Sequence, residues 1–285
     1  MSGALLVRGV GVWPVGALRE KLSEQTPDAR ALTSRGALGG GTASPAAKPA
    51  AALLPVRMRG RASPLTLMLA EVAEQAARGA GVYLGRLPSV FGSAYGEMNT
   101  TATLLSQLWA ADGQLSPAKF QASVHNTAAA QLSIALHNSS FTTSIAAGHD
   151  TVAMCLIEAS AWLARHPGQV LVACADEGPT AALQPGAAYP PLAAAFVLDN
   201  VEQHGLARIS LHAPDPAALE QETEQRLEVN PVTSAIALAQ AILQAREPSS
   251  PSRRDGAFVL DLAAARGYRV SVEPVAAADD VHVHD

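Results

Sequence analysis

The sequence predicts an α/β fold, a mostly parallel sheet sandwiched by helices. Three observations predict it. Between residues 81 and 176, strand-like and helix-like segments alternate with short connections, the order expected of strand-helix-strand units. Start and stop signals bracket the longest apolar-periodic run, at residues 63 to 81. And 285 residues with 48% hydrophobic and 16% charged side chains supply enough apolar material for a core on both faces of a sheet.

Taken in order, residues 1–54 read as an N-terminal segment whose stretch from Thr33 to Ala52 is rich in Gly, Pro and Ala and reads as a mobile loop. Its Gly39 to Gly41 run has no GK[ST] after it and no preceding strand, so a phosphate cradle is not expected. Ordered structure is expected from about Pro55. Ser63 as N-cap, Pro64 just inside and Gly81 at the end mark a helix. GVYLG at 81–85 reads as a short buried strand, and VFGSAYGEMNTT at 90–101 as a glycine turn feeding a helix. A second helix is expected from about Asn126 to Leu136, then a strand over 141–148, a helix from Asp150 to Arg165 and a strand over 169–176. Further strands are expected at 190–200, 206–213, 256–263 and 267–274, with one helix over 231–245, a polar linker near 246–256 and a frayed tail. The division is therefore 1–54, 55–200 and a reduced C-terminal part, 201–285.

Composition narrows the function. A net charge of -5 argues against a nucleic-acid binder, which needs a basic face. No apolar run approaches the ~20 residues of a membrane span, and the N-terminus lacks the pattern of a signal peptide, so a cytoplasmic location is expected. Two cysteines, Cys155 and Cys174, cannot make a disulfide scaffold or a cysteine-rich zinc site. No cofactor and no metal are expected. His282 and His284 would share one strand face, but a pair in a terminal tail is a weak metal signal.

The blocks RGRASPLTLMLAEVAEQA, VYLGRLPSVFGSAYGEMNTTATLL, LSPAKFQASVHNTAAAQLSIAL, TTSIAAGHDTVAMCLIEASAWL and VLVACADE occur in that order over Arg59 to Glu177. Together they resemble the N-terminal half of β-ketoacyl synthases, which have the thiolase-like fold; PPLAAAFVLDN resembles a later central strand. The resemblance implies a thiolase-like fold with a truncated second half. It also implies that the third block lies at a dimer interface, with Phe120, Ser123, Val124, His125, Asn126, Gln131 and Ile134 as interface residues.

The departures are chemical. Ketosynthases carry a nucleophilic cysteine at the turn before the buried helix, where the helix N-terminus favours a thiolate. Here that turn reads Ala146-Ala147-Gly148-His149-Asp150, and the best register puts Gly148 at the nucleophile's place, with Ala147 or His149 as the alternatives one residue away. Cys155, about two turns into the helix, and Cys174, in a core strand, read as small core residues. The two histidines that support decarboxylation and condensation have no match: His204 lies in EQHGLA without the threonine, and His212, His282 and His284 fit neither motif. No catalytic residue is assigned, and activity alone is not expected. His149 is either a base in a vestigial pocket or a residue beside an Asp150 helix cap, the second being favoured. His125 and Asn126 are expected to satisfy backbone groups or cap a helix. Gly92 to Gly96 is a glycine turn, since its serine is misplaced for GxSxG. Arg57, Arg59 and Arg61 are a solvated cluster, with docking of an acidic acyl carrier protein as the other reading.

The resemblance thus implies a degenerate subunit of chain-length-factor type, in fatty-acid, polyketide or aryl polyene systems. It would pair with a catalytic ketosynthase and an acyl carrier protein and shape the acyl tunnel. An altered enzyme that hydrolyses or decarboxylates acyl thioesters through His149, and a homodimeric binder of acyl chains or carrier protein, are the alternatives.

Overall fold

Nine residues that sequence reasoning leaves outside the ordered core, β1 (Leu5–Trp13), form a strand in the interior of the sheet. The structure, a computed structural model, describes residues 4–14, 48–110, 113–180, 183, 189–213, 229–246, 258–263 and 267–275. The Gly39 to Gly41 run, most of the expected linker, and His282 and His284 lie outside these residues.

After β1 come a short helix α1 (Val56–Arg59), the long α2 (Pro64–Ala80), β2 (Ser89–Gly92), α3 (Met98–Leu108), α4 (Pro117–Gln121), α5 (Thr127–Leu136), β3 (Thr142–Ile145), α6 (Thr151–Arg165) and β4 (Gln169–Asp176). Then follow β5 (Leu192–Asp199), β6 (Ala207–His212), α7 (Thr233–Arg246), β7 (Phe258–Ala263) and β8 (Tyr268–Pro274). The α2 signals act as expected: the Ser63 hydroxyl accepts from the Thr66 N–H, and Gly81 closes the helix at φ 68°.

The eight strands of the described residues join one sheet in the order β3-β2-β4-β5-β1-β6-β8-β7. The expectation of a mostly parallel sheet needs correction. Among the described residues, only β2 with β3 and β2 with β4 pair parallel; the other five pairings are antiparallel. Parallel pairing requires a crossover, and α3 to α5 and α6 supply crossovers only around β2, β3 and β4. A second correction concerns 81–85, which is no strand: a 3₁₀ turn begins there (Leu84–Arg86), and the buried strand, Ser89–Gly92, takes the start of the segment read as a glycine turn.

Side chains alternate between two cores. Val170, Val172 and Cys174 of β4 with Leu192, Ala194, Phe196 and Leu198 of β5 pack under α6 and α7. Leu171, Ala173 and Ala175 with Ala193, Ala195 and Val197 pack under α2 and α5. The doubly buried strands explain their unbroken apolar runs.

The strand β1 escapes sequence reading because Gly9 and Gly11 interrupt its apolar pattern and lower its strand propensity. Packing requires them. A Cβ on Gly9 would lie 2.0 Å from the Ala76 carbonyl oxygen, and one on Gly11 2.1 Å from that of Val72. The helix backbone is the obstacle and cannot rotate away. Gly9→Ala is therefore expected to destabilise the fold by about 3 kcal/mol, read as a lowered urea midpoint with an unchanged m-value.

Candidate functional site: a nucleophile-type turn beside an apolar face

The parallel strands β2, β3 and β4 end at one edge of the sheet, where open α/β sheets place their sites. From β3 the chain passes through Ala146 and Ala147 into a 3₁₀ turn, Gly148–Asp150, and then into α6. Gly148 has φ 57° and is exposed; a Cβ built on it meets nothing within 4 Å. The turn therefore has the shape that presents a side chain in front of a helix N-terminus, yet its residue there has none. The Thr151 hydroxyl locks it, donating to the Gly148 carbonyl at 2.6 Å and accepting from the Ala147 N–H at 3.1 Å. The expected cap differs. Asp150 is buried at the N-cap position but its side chain makes no capping bond. His149 is half-buried.

Neither cysteine reaches the turn. Both are fully buried, and they lie together beneath Gly92, where a Cβ would come 2.6 Å from Cys155 Sγ and 2.9 Å from Cys174 Sγ. The hydrogen bond with Cys174, and then burial, push the Cys155 thiol well above its usual range, the reverse of an activated nucleophile. The native protein is expected to give no reaction with a thiol reagent such as DTNB, and two thiols per chain once unfolded in urea. Of the later histidines, His204 is exposed and His212 Nε2 meets the Ser271 hydroxyl at 3.0 Å.

The chain ahead of β3 exposes a run of apolar side chains. Of the fourteen large apolar side chains exposed among the described residues, Leu108, Trp109, Leu115, Phe120, Val124 and Ile134 fall within residues 108–134. Trp109 is 77%, Phe120 63% and Ile134 66% exposed. Of the seven expected interface residues, Phe120, Val124, Asn126 and Ile134 are exposed, and Ser123, His125 and Gln131 are half-buried. His125, Asn126 and Ile134 line a groove of about 580 Å³ between α5 and Thr142, Thr143 and Ser144 of β3. Among the described residues β3 is one of two edge strands, and one row of its backbone groups has no strand partner there. His125 Nε2 lies 2.8 Å from the Ser93 carbonyl, tying the face to the sheet end, and Asn126 stands at the N-cap of α5 without a side-chain capping bond.

Sequence reasoning misses a set of buried acids at the same end of the sheet. Asp176 closes β4, Glu177 follows it and Glu97 precedes α3. All three are at most 2% exposed. Ser93, read only as part of a glycine turn, donates its hydroxyl to Asp176 Oδ1 at 2.7 Å. In the basic cluster Arg59 donates to the Ala50 carbonyl at 3.1 Å, while Arg57 and Arg61 are exposed.

The single mixed sheet with helices on both faces and a glycine-bearing strand-to-helix turn fit the thiolase-like fold that the sequence resemblance implies. Residues 36–255 match the N-terminal domain of beta-ketoacyl synthases, and the chain belongs to that family. A search of curated protein sequences finds no match. Solved structures agree in fold. A ketosynthase (ApeO) in complex with its chain length factor (ApeC) from Xenorhabdus doucetiae superposes with TM-score 0.61 at 16% identity, over 95% of this chain and 100% of that one. A type II PKS acyl-carrier protein in complex with its ketosynthase (AntDE:AntF) gives 0.68 at 12% identity, over 96% and 100%. The ishigamide ketosynthase/chain length factor gives 0.59 at 15%, over 96% and 100%. No helix among the described residues is long and apolar enough to cross a membrane.

Proposed function

We propose that this chain is a catalytically degenerate ketosynthase homologue that pairs with an active ketosynthase and shapes the tunnel for the growing acyl chain, as a chain length factor does. The observation that carries the proposal is the pairing of two features on adjacent segments: an open elbow with glycine at its tip, and an exposed apolar face with an open strand edge beside it. A chain selected for condensation would keep a thiol at the elbow. A chain selected only to stand alone would not expose Trp109, Phe120 and Ile134 together. Two structural neighbours, each a ketosynthase with its chain length factor, support the same assignment. In this reading the partner supplies the cysteine and histidines, and the acyl groups arrive on an acidic carrier protein. The pathway, whether fatty acid, polyketide or aryl polyene, follows from the partner. The test is a reconstituted condensation assay with acyl- and malonyl-carrier thioesters and a complete ketosynthase. The chain alone is expected to form no carbon-carbon bond, and its addition to the ketosynthase is expected to narrow the product lengths. An unchanged product distribution would overturn the tunnel-shaping role, and condensation by the chain alone would overturn its degenerate status.

A further inference from the structure

The short helix that carries Phe120 has no packing of its own to fix it, because no residue of α4 is buried. The chain on either side must hold it. On the N-terminal side, the Ser116 N–H donates to Gln107 Oε1, in the last turn of α3, at 3.3 Å. On the C-terminal side the tie is His125. Its Nε2 lies 2.8 Å from the Ser93 carbonyl, and since a carbonyl only accepts, that nitrogen carries the proton and donates. The same ring rests on Gly96, where φ is 61° and a Cβ would come 3.0 Å from His125 Cδ2. A hydrogen bond and a close approach therefore set the start of α5, and Ser123 and Val124 before it, on the turn between β2 and α3. The far end of α5 is held separately, by the Asn138 side-chain amide on the Leu84 and Leu87 carbonyls.

One carboxylate holds that turn. Asp176 Oδ1 accepts from the Ser93 hydroxyl at 2.7 Å and from the Tyr95 N–H at 3.1 Å, and Oδ2 accepts from the Ala94 N–H at 2.8 Å. The Ser93 hydroxyl oxygen accepts from the Gly96 N–H at 2.9 Å, so the four residues from Ser93 to Gly96 hang on Asp176, the last of them through Ser93. Three donors aimed at one carboxyl group suit its ionised form. Asp176 is itself anchored. It ends β4, pairs with Leu192 of β5, and its carbonyl accepts from the Asn230 side-chain amide at 3.2 Å. At 1% exposure it is out of reach of any partner protein.

We propose that Asp176 is a positioning residue for the pairing face: through the turn at Ser93–Gly96 and through His125 it holds α4 and the start of α5, and with them Phe120 and Val124, in place for a partner that Asp176 never touches. The effect on pairing rests on the function proposed above. The mechanical link from Asp176 to α4 is a property of the chain alone and is tested without a partner.

The experiment compares the wild-type chain with Asp176→Asn, which keeps the shape but turns one acceptor oxygen into a donor facing donors. Amide hydrogen exchange on the free chain at pH 8 is the first readout. Exchange at residues 94–96 and 120–130 is expected to rise about tenfold, the order of one lost charge-assisted hydrogen bond. The amides of β5 and of the last turn of α5 are expected to hold steady. A rise equal across the whole chain, or a loosened 94–96 turn with 120–130 unchanged, would overturn the link. Two further variants test its second half. His125→Phe, which keeps a ring but cannot donate, is expected to loosen 120–130, and His125→Gln, which keeps a donor, to restore wild-type exchange there. Equal exchange in the two would overturn the proposal, and this contrast decides if Asp176→Asn does not fold. The second readout is Kd for a complete ketosynthase, expected to rise about tenfold in Asp176→Asn. Val172→Ala, a cavity variant in the same strand, is expected to lose stability without changing Kd. An equal loss of affinity in both would reduce Asp176 to a structural residue. A free chain that loosens as described but binds no ketosynthase would uphold the link and remove the pairing role.

Discussion

Replacing Phe120 and Ile134 together by aspartate is expected to abolish pairing with a ketosynthase while leaving the chain folded. Both side chains are mostly exposed in the free chain, at 63% and 66%, and surface substitutions of this kind usually move stability by no more than about 0.5 kcal/mol. In a complex they would become buried. An unpaired carboxylate carried into an interface costs about 3 kcal/mol or more, so the two raise Kd roughly ten-thousandfold. The measurement is co-purification of the tagged double variant with its ketosynthase, alongside thermal unfolding of the free chain. Loss of the complex at an unchanged Tm is the expected result. A double variant that still pairs normally would place the interface elsewhere.

Gly148→Cys is expected to turn an unreactive protein into one that takes up a single alkylating label. The native thiols are sealed beneath Gly92, whereas a side chain at Gly148 would stand in open space ahead of the fifteen-residue α6. The helix N-terminus favours a thiolate there. A φ of 57° costs a non-glycine residue about 1 kcal/mol, which a fold of this size can absorb. Labelling with iodoacetamide and mapping the site by mass spectrometry tests the expectation. One label on residue 148 in the variant and none in the native chain supports an elbow that has lost only its nucleophile. An unreactive variant would mean that the turn is not an open elbow. Condensation is still not expected, because the later histidines, His204, His212, His282 and His284, fit neither histidine motif of ketosynthases.

Much of the fold was legible because its signals are local. Ser63, Pro64 and Gly81 bracket α2, and the run from Gln169 to Asp176 is the strand that its apolar pattern predicts. What stayed hidden depends on distant partners. Gly9 and Gly11 look like strand breakers until α2 is laid across them. The direction of β5 and β1 cannot be read from their own residues, so the sheet was expected to be more parallel than it is. In the site, the elbow and the exposed Phe120, Val124 and Ile134 were accessible through the family resemblance. The buried acids were not, because the donors that hold Glu97, Asp176 and Glu177 come from strand ends and helix starts in separate regions of the chain.

The measurement that bears most directly on the central claim is the molar mass, by light scattering, of this chain co-expressed with a complete ketosynthase carrying its cysteine and both histidines. The account predicts a stable one-to-one heterodimer, dispersed by the Phe120 and Ile134 double variant. A chain that elutes as its own homodimer and leaves the ketosynthase unbound would contradict it.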